Sequence, residues 1–280
     1  MNRRTFVKLS SLAWAAPMIA LPGVLARTAS AAAPARTAIT DPAGATVHQA
    51  DAPRDIAMLI YPGFTALDMV GPQSVLGGLG GRRIHLVWKT TDPVVSDTGI
   101  PILPTTAFAD CPENLEILFV PGGGRPTIAL MDDRDVLDFL TRRAATAEWV
   151  TSVCTGSLIL GAAGLLRGYR AASHWVFRDL LALLDAVPVA ERVVEDRNRI
   201  TGGGVTAGID FGLRIAARLR GEAYARILQL NLEYAPEPPF RAGTPEQAGP
   251  EATAFVRNVY AQILEDGQQA AQRARARFDS

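Results

Sequence analysis

The stretch Glu148–Leu166, EWVTSVCTGSLILGAAGLL, decides the fold. A run rich in β-branched residues stops at Cys154, and a helical pattern begins at once with Thr155. The small residues two before and two after the cysteine, Ser152 and Gly156, allow a sharp turn between strand and helix. This layout is the cysteine counterpart of the strand–turn–helix arrangement that exposes the serine of G-x-S-x-G enzymes. The stretch therefore predicts an α/β protein with a thiol at the edge of a sheet.

Two interpretations of Cys154 are open. A helix N-terminus stabilises a thiolate, so the turn predicts a reactive nucleophile. An isolated cysteine is otherwise usually a small buried hydrophobe, but the flanking pattern favours the nucleophile. The second cysteine, Cys111, precedes the predicted strand Leu115–Val120 and would lie at the opposite end of a parallel sheet. Strands of ~6 residues put those ends roughly 20 Å apart, so we expect two free thiols.

The composition is that of an ordinary globular protein and argues against several classes of function. The chain has 280 residues, of which 48% are hydrophobic and 20% charged, enough for one large α/β domain or two small ones. Lysine and arginine together number 28, as do aspartate and glutamate, and no basic stripe predicts nucleic-acid binding. Three histidines, two cysteines and the lack of C-x-x-C or H-x-x-x-H spacing give no basis for a metal site.

The N-terminus has the features of an export signal. Arg3-Arg4 precede an aromatic residue and Lys8, and a moderately apolar, proline-broken stretch leads to Ala29-Ser30-Ala31. This pattern resembles a bacterial twin-arginine signal, with a membrane anchor as the alternative. We expect residues 1–31 to be cleaved and residues 32–53 to be a flexible linker. The mature protein would then be periplasmic, without stable insertion in the membrane.

Strands and helices alternate from about Arg54 onward. Strands are predicted at Ile56–Ile60, Ile84–Trp88, Leu115–Val120, Trp149–Val153 and Ala171–Ser173, with hairpins at Val94–Leu103 and at Val193–Glu195 paired with Ile200–Thr201. Helices are predicted at Thr65–Leu79 (with Pro72 inside), after Cys154, and at Arg134–Ala147, His174–Leu184, Val205–Arg220, Ala223–Tyr234 and Glu251–Arg277. This alternation predicts a doubly wound, mostly parallel sheet with helices on both faces.

In such a sheet the ligand site lies beyond the carboxyl ends of the strands, where several candidates converge. Asp68 follows the first strand, either as an acid that complements a helix dipole or as a carboxyl facing the thiol. Partly buried near a thiolate, such a carboxyl has a raised pKa and can carry a proton. Gly122 and Gly123 follow another strand, where their amides either form an anion-stabilising hole or belong only to a turn.

Two further residues border the predicted crevice. His174 follows the elbow helix and is either a structural hydrogen-bonding residue or part of the pocket. Asp210 ends a second glycine-rich passage, Thr201–Asp210, and either closes one side of the pocket or begins a helix. We expect the domain to span residues 54–248. The C-terminal helix, residues 249–280, would cover its apolar face on this domain or on a dimer partner.

Several motifs together resemble the ThiJ/PfpI branch of the class I glutamine-amidotransferase-like superfamily, over about Arg54 to Ala248. They are Tyr61-Pro62-Gly63, Leu67-Asp68-Met69-Val70-Gly71-Pro72, Val120-Pro121-Gly122-Gly123, Ser152-Val153-Cys154-Thr155-Gly156, Ala162-Ala163-Gly164-Leu165-Leu166, Ser173-His174-Trp175, Thr206–Asp210 and Glu233–Phe240. Gly71, in the motif that contains Asp68, is a further candidate for the pocket. The Cys-Thr pair and the last motif are similar to the members that hydrate isonitriles.

The resemblance implies a flavodoxin-like fold, a homodimer, a small-molecule substrate and no cofactor. It also implies hydration of an isonitrile to an N-substituted formamide, with Cys154 as nucleophile and Asp68 as acid and base. Thr155, Gly122 and Gly123 would orient the intermediate. PfpI-type proteases carry histidine after the cysteine, where this chain has threonine, and many glyoxalase relatives carry glutamate at the aspartate position. The alternatives are a glyoxalase- or amidase-like thiol enzyme, or a non-catalytic exported protein whose cysteine senses oxidants.

Overall fold

A seven-stranded sheet forms the centre of the computed structural model, which describes residues 53–278. The strands of the chain are β1 (Arg54–Leu59), β2 (Arg82–Trp88), β3 (Val94–Val95), β4 (Pro101–Ile102), β5 (Thr106–Ala107), β6 (Ile117–Val120), β7 (Trp149–Val153), β8 (Arg170–Ala171), β9 (Val187–Pro188), β10 (Val193–Asp196) and β11 (Arg199–Gly202). The sheet has the order β10-β11-β7-β6-β1-β2-β5, and only β10 runs antiparallel to its neighbour. The predicted signal segment lies outside the described residues, as does the predicted linker except for its last residue.

Helices cover both faces of this sheet. They are α1 (Ala66–Leu76), α2 (Arg125–Leu130), α3 (Arg134–Ala144), α4 (Gly156–Ala162), α5 (Ala207–Arg220), α6 (Glu222–Asn231), α7 (Pro245–Val259) and α8 (Ala261–Ala276). Helix α5 contacts both α1 and α6, whereas α4 contacts α2, α3 and α8 in a second group. The predicted α/β fold, a mostly parallel sheet between two helical layers, is confirmed. The hairpins predicted around Gly99 and around Arg197 are confirmed as well.

The central strand β6 is apolar along its whole length, as expected for a strand that is covered on both faces of the sheet. All four residues of β6 are buried, and Phe119 on this strand contacts Phe211 of α5 with ring centroids 5.6 Å apart. The parallel register aligns Val120 with Ser152, and Val153 with Gly202. The carboxyl ends of β6, β7 and β11 therefore meet at one edge of the sheet.

Two helix predictions need correction. The helix predicted over His174–Leu184 is a turn followed by a 3-10 helix, Arg178–Leu184, because the amide of Phe177 bonds the carbonyl three residues back. The helix predicted over Glu251–Arg277 is two helices that meet at Tyr260. The first of them is interrupted at Gly249, which has φ 83°, so its regular part begins at about the predicted Glu251. The short turn before this break is capped by the hydroxyl of Thr244, which accepts the amide hydrogen of Gln247.

The two C-terminal helices differ in how they pack. Helix α8 is held against α2 by ion pairs of Arg125 with Asp266 and of Arg273 with Asp132, and Gly267 faces Ile128. Helix α7 has no buried residue, and its Phe255 is 70% exposed. Whether a second copy covers this face stays a prediction. No helix within residues 53–278 has both the length and the apolar character that a membrane crossing requires.

Candidate active site

The turn after β7 holds Cys154 in a strained conformation. The residue has φ 59°, in the left-handed region that favours glycine. Its amide donates to the carbonyls of Gly202 (3.1 Å) and Gly203 (2.7 Å), and its carbonyl accepts the hydroxyl of Ser173 at 3.1 Å. These bonds at both ends of the residue stabilise a backbone that would otherwise relax. The predicted nucleophile-elbow geometry is thus present, with the side chain 5% exposed.

The first residue of α4 has to be glycine. A Cβ on Gly156 would stand 2.2 Å from the carbonyl oxygen of Val120, the last residue of β6. The elbow therefore lies in direct contact with the end of the neighbouring strand. This contact brings Cys154 close to the loop that follows β6.

Asp68 approaches the thiol from α1. Its side chain is fully buried, and its Oδ2 accepts the amide hydrogen of Gly122 at 2.8 Å. Oδ1 is buried as well and has no donor in ordinary hydrogen-bond geometry among the described residues, but the carboxyl interacts with the Cys154 thiol, which also lowers the carboxyl pKa. Burial raises the pKa of this carboxyl to about 7, against the opposing effect of the bond from Gly122. The predicted proton-carrying carboxyl therefore has the titration range that such a role requires.

The Cys154 thiol keeps its proton near neutral pH, contrary to the thiolate that the sequence predicted. Burial raises its pKa well above the usual value, and the neighbouring charge of Asp68 raises it further. The amide of Thr155, which interacts with the sulfur, acts in the opposite direction but is the weaker effect. The site thus contains a thiol next to a titrating carboxyl.

The Thr155 hydroxyl belongs to a buried chain of hydrogen bonds. Its Oγ1 accepts the amide hydrogen of Gly123 at 3.2 Å and lies 2.9 Å from Oγ1 of Thr127. Thr127 in turn lies 2.9 Å from the hydroxyl oxygen of Tyr61, which donates to the carbonyl of Pro121 at 3.0 Å. The three hydroxyl side chains are at most 1% exposed. The loops after β1, β6 and β7 are therefore joined by polar bonds inside the protein.

The amides of Gly122 and Gly123 do not form the open anion hole that the sequence predicted. The Gly122 amide donates its hydrogen bond to Asp68, and the Gly123 amide donates to the hydroxyl of Thr155. The two amides therefore position the acid and the hydroxyl of the site. A Cβ on Gly122 would stand 2.6 Å from Oγ1 of Thr155 and 2.8 Å from Oδ2 of Asp68, so only glycine fits between them.

His174 lies beside this cluster, but no described residue connects it to the thiol or the carboxyl by a hydrogen bond. It follows Ser173, which bonds the Cys154 carbonyl, and its ring is 6.1 Å from that of Tyr260 between centroids. Its Nδ1 accepts the amide hydrogen of Val176 at 3.4 Å. Burial lowers the pKa of the imidazole, so His174 is neutral at pH 7. It forms part of an aromatic wall, and its predicted place in the pocket stays a prediction.

Two other predicted residues have partners outside the cluster. Asp210 lies in the first turn of α5 and accepts hydrogen bonds from Arg192 at 2.7 Å and from Tyr234 at 2.9 Å. These residues line a separate open groove of about 930 Å³ between α5, α6 and the segment before β10. Gly71 lies where α1 crosses α5, and a Cβ there would stand 3.4 Å from Ile209. Gly71 thus serves the close packing of two helices.

Cys111 and Cys154 are both free, as predicted. Among residues 53–278, no group of three or more His, Cys, Asp or Glu side chains is arranged to hold a metal ion. Tyr61 was expected only as part of a motif, without a role in the site, and nothing in the sequence singled out Thr127. Helix α2, which carries Thr127, has only six residues and follows a glycine run, so no periodic pattern marked it.

The sequence model of the DJ-1/PfpI family matches residues 54–218, a stretch that contains every residue of the cluster. The chain belongs to the DJ-1/PfpI family. It is similar to the isonitrile hydratase of Pseudomonas putida, with 53% identity over 193 residues, which cover 69% of this chain and 84% of that enzyme. The crystal structure of a THiJ/PfpI family protein from Pseudomonas syringae matches with a TM-score of 0.77 and 50% identity, over 78% of this chain and 90% of that one.

The family also includes proteins that are not enzymes. The HTH-type transcriptional regulator GbdR of Pseudomonas aeruginosa is 31% identical over 180 residues, which are 60% of this chain but only 47% of the regulator. Membership in the family therefore does not define an activity by itself. The activity depends on the chemistry of the cluster around Cys154.

Proposed function

We propose that this protein hydrates an isonitrile, R–N≡C, to the N-substituted formamide, with Cys154 as nucleophile and Asp68 as proton carrier. The observation that carries the proposal is the pair itself: a buried thiol that interacts with a buried carboxyl, each with a raised pKa. Ionisable groups whose pKa is strongly shifted by burial and by a specific neighbour are concentrated at catalytic sites. The 53% identity to an isonitrile hydratase supports the same chemistry.

In the first step, the Asp68 carboxylate accepts the thiol proton while Sγ of Cys154 attacks the terminal carbon of the isonitrile. The same proton then passes from Asp68 to that carbon. One C–S bond and one C–H bond form and no group leaves, so the product is the thioimidate R–N=CH–S-Cys. A single acid and base suffices because the carbon both receives the nucleophile and takes up the proton.

In the second step, water attacks the thioimidate carbon and Asp68 accepts a proton from it. The oxygen of water becomes the formamide oxygen, and its two protons end on the substrate nitrogen and on the sulfur. The C–S bond breaks and the thiol is restored. The sum is R–N≡C plus water giving R–NH–CHO, without oxidation, reduction or a cofactor.

The protonation state of the pair suits this scheme. With the Asp68 pKa at about 7 and the thiol pKa raised, the pair carries one proton over the neutral to moderately alkaline range. A singly protonated pair contains both a base for the thiol and, after transfer, an acid for the carbon. Burial also prevents bulk water from competing for the proton.

The test is formation of N-cyclohexylformamide from cyclohexyl isocyanide by the mature protein and three variants. We expect Cys154→Ala to lower kcat/KM by at least ~1000-fold and Asp68→Asn by ~100- to 10000-fold. Cys111→Ala is the matched control, because it removes the other buried thiol and should keep kcat/KM within about twofold. Undiminished turnover by Cys154→Ala would refute the proposed mechanism.

A panel of substrates separates the proposal from its alternatives. Turnover of glyoxals or small amides, but not of isonitriles, would assign the same thiol to a glyoxalase- or amidase-like reaction. Turnover of none, with rapid sulfenic-acid formation at Cys154 in peroxide, would favour an oxidant sensor. The raised thiol pKa speaks against the sensor, because oxidants react with the thiolate.

A further inference from the structure

The buried hydroxyl chain Tyr61–Thr127–Thr155 has a direction that its terminal acceptor determines. The carbonyl of Pro121 can only accept, so the single hydroxyl proton of Tyr61 points to it. The bond between Tyr61 and Thr127 must then use the proton of Thr127. By the same reasoning, the bond between Thr127 and Thr155 uses the proton of Thr155. No other arrangement satisfies all three contacts.

This direction decides what Thr155 can offer to the reaction. Its one proton is committed to Thr127, and one lone pair accepts the Gly123 amide hydrogen. The remaining lone pair makes Oγ1 a hydrogen-bond acceptor toward the site. In this arrangement the Thr155 hydroxyl gives its proton to Thr127, although it also lies near the Cys154 sulfur, where a proton turned toward the sulfur lowers the pKa of the thiol.

A second acceptor lies next to this lone pair. Oγ1 of Thr155 and Oδ2 of Asp68 stand 2.6 Å and 2.8 Å from a single point, the position of a Cβ on Gly122. The two oxygens are therefore no more than two hydrogen-bond lengths apart, a span that one water molecule can bridge from the open side by donating to both. A water with both protons held in this way directs a lone pair at a third atom, as a nucleophilic water must.

We propose that Thr127 is a positioning residue that locks Thr155 Oγ1 as an acceptor, and that Thr155 and Asp68 together orient the water of the second step. The role in orienting water rests on the proposed isonitrile hydration. The polarity of the hydroxyl chain is independent of that proposal. Thr127 acts through Thr155 and touches neither substrate nor sulfur. Its removal should therefore impair the hydrolysis of the thioimidate and spare its formation.

The first experiment needs no substrate. Thr127→Val removes the acceptor for the Thr155 proton, so this proton becomes free to bond the sulfur. We expect the midpoint of the pH profile of Cys154 alkylation by iodoacetamide to fall by about one pH unit, measured in a Cys111→Ala background. The matched control is Thr151→Val, because Thr151 is equally buried and its hydroxyl bonds only the Leu118 carbonyl. An unchanged midpoint in Thr127→Val, or an equal change in Thr151→Val, would overturn the assigned polarity.

The second experiment follows the two steps separately in rapid-quench reactions with cyclohexyl isocyanide, with mass spectrometry of the Cys154 peptide. We expect Thr127→Val to form the thioimidate at the wild-type rate and to hydrolyse it about 10- to 100-fold more slowly, so the adduct accumulates. Equal slowing of both steps, or wild-type hydrolysis, would overturn the role of Thr127 in positioning water. If wild type forms neither adduct nor formamide, the proposed function is wrong, and this role falls with it. In that case the alkylation profile still decides the polarity of the chain.

Discussion

The amide of Gly122 donates a 2.8 Å hydrogen bond to Oδ2 of Asp68, so the loop after β6 fixes a carboxyl that α1 supplies. The bond occupies one oxygen and leaves the other without a donor in ordinary hydrogen-bond geometry among the described residues. Burial then raises the pKa of the group into the neutral range. One glycine amide thus leaves Oδ1 of Asp68 for proton exchange with the thiol, while Oδ2 stays a fixed hydrogen-bond acceptor.

The pH dependence of turnover should follow the Asp68 carboxyl. The working form of the pair has Asp68 ionised and the thiol protonated, so kcat/KM should fall about tenfold per pH unit below pH 7. Above this range, kcat/KM should stay level until the thiol ionises. Asp68→Asn should lose this lower limb, and its low residual activity should vary little between pH 5 and 7. A wild-type profile that is flat across this interval would contradict the assignment.

The charge state of the thiol can be measured directly. In a Cys111→Ala background, alkylation of Cys154 by iodoacetamide should have its midpoint above the value of about 8.5 for a free thiol, because burial and Asp68 both disfavour the thiolate. Asp68→Asn removes the nearby charge and should lower the midpoint. The unfolded chain in urea provides the reference. A midpoint below pH 7 in the folded protein would restore the activated thiolate that the sequence predicted.

The buried carboxyl should also make stability depend on pH. Its pKa is about 7 in the folded protein against an ordinary value of 3.8, so its contribution is most favourable below pH 3.8 and is lost as the pH rises through 7. Relative to Asp68→Asn, wild type should lose roughly 3 kcal/mol of unfolding free energy between pH 5 and pH 8. Urea unfolding of both proteins at the two pH values measures this difference. A constant difference would mean that Asp68 titrates normally.

The space at Gly122 gives a further prediction. In Gly122→Ala the new Cβ would push against Thr155 and Asp68, and a displacement of about 1 Å at such a site costs on the order of 100-fold in kcat/KM. The matched control is Gly77→Ala, where a Cβ meets no atom within 4 Å. The control should retain full activity and gain up to about 1 kcal/mol of stability. Wild-type activity in Gly122→Ala would show that the close contact is unimportant.

The export signal stays a prediction from the sequence and can be tested in cells. When the full-length chain is expressed, the periplasmic fraction should contain a shortened protein whose N-terminus lies near Ala32, because Arg3-Arg4 begin a cleavable signal. Replacing both arginines by lysine should leave the uncleaved chain in the cytoplasm. Recovery of intact wild-type protein in the cytoplasm, in cells with a working twin-arginine translocase, would refute the prediction.

The sequence predicted those parts of the site that depend on local signals. The β-branched run before Cys154 and the helical pattern after it identified the elbow, and the rule for parallel sheets placed Asp68 opposite. The charge state of the thiol could not be predicted, because it depends on burial by elements far apart in the chain. Thr127 was missed for a similar reason, since its role comes from contacts with Tyr61 and Thr155. The break at Tyr260 has neither proline nor glycine to mark it.

The left-handed backbone of Cys154 has a consequence for the selection of variants. A side chain at φ 59° costs about 1 kcal/mol or more relative to glycine, so Cys154→Gly should relieve backbone strain. The same change removes a buried side chain, so the relief of strain and the loss of packing oppose each other. A library screened for heat resistance alone would therefore select only weakly at this position, and a screen that also demands turnover would be needed to retain the thiol.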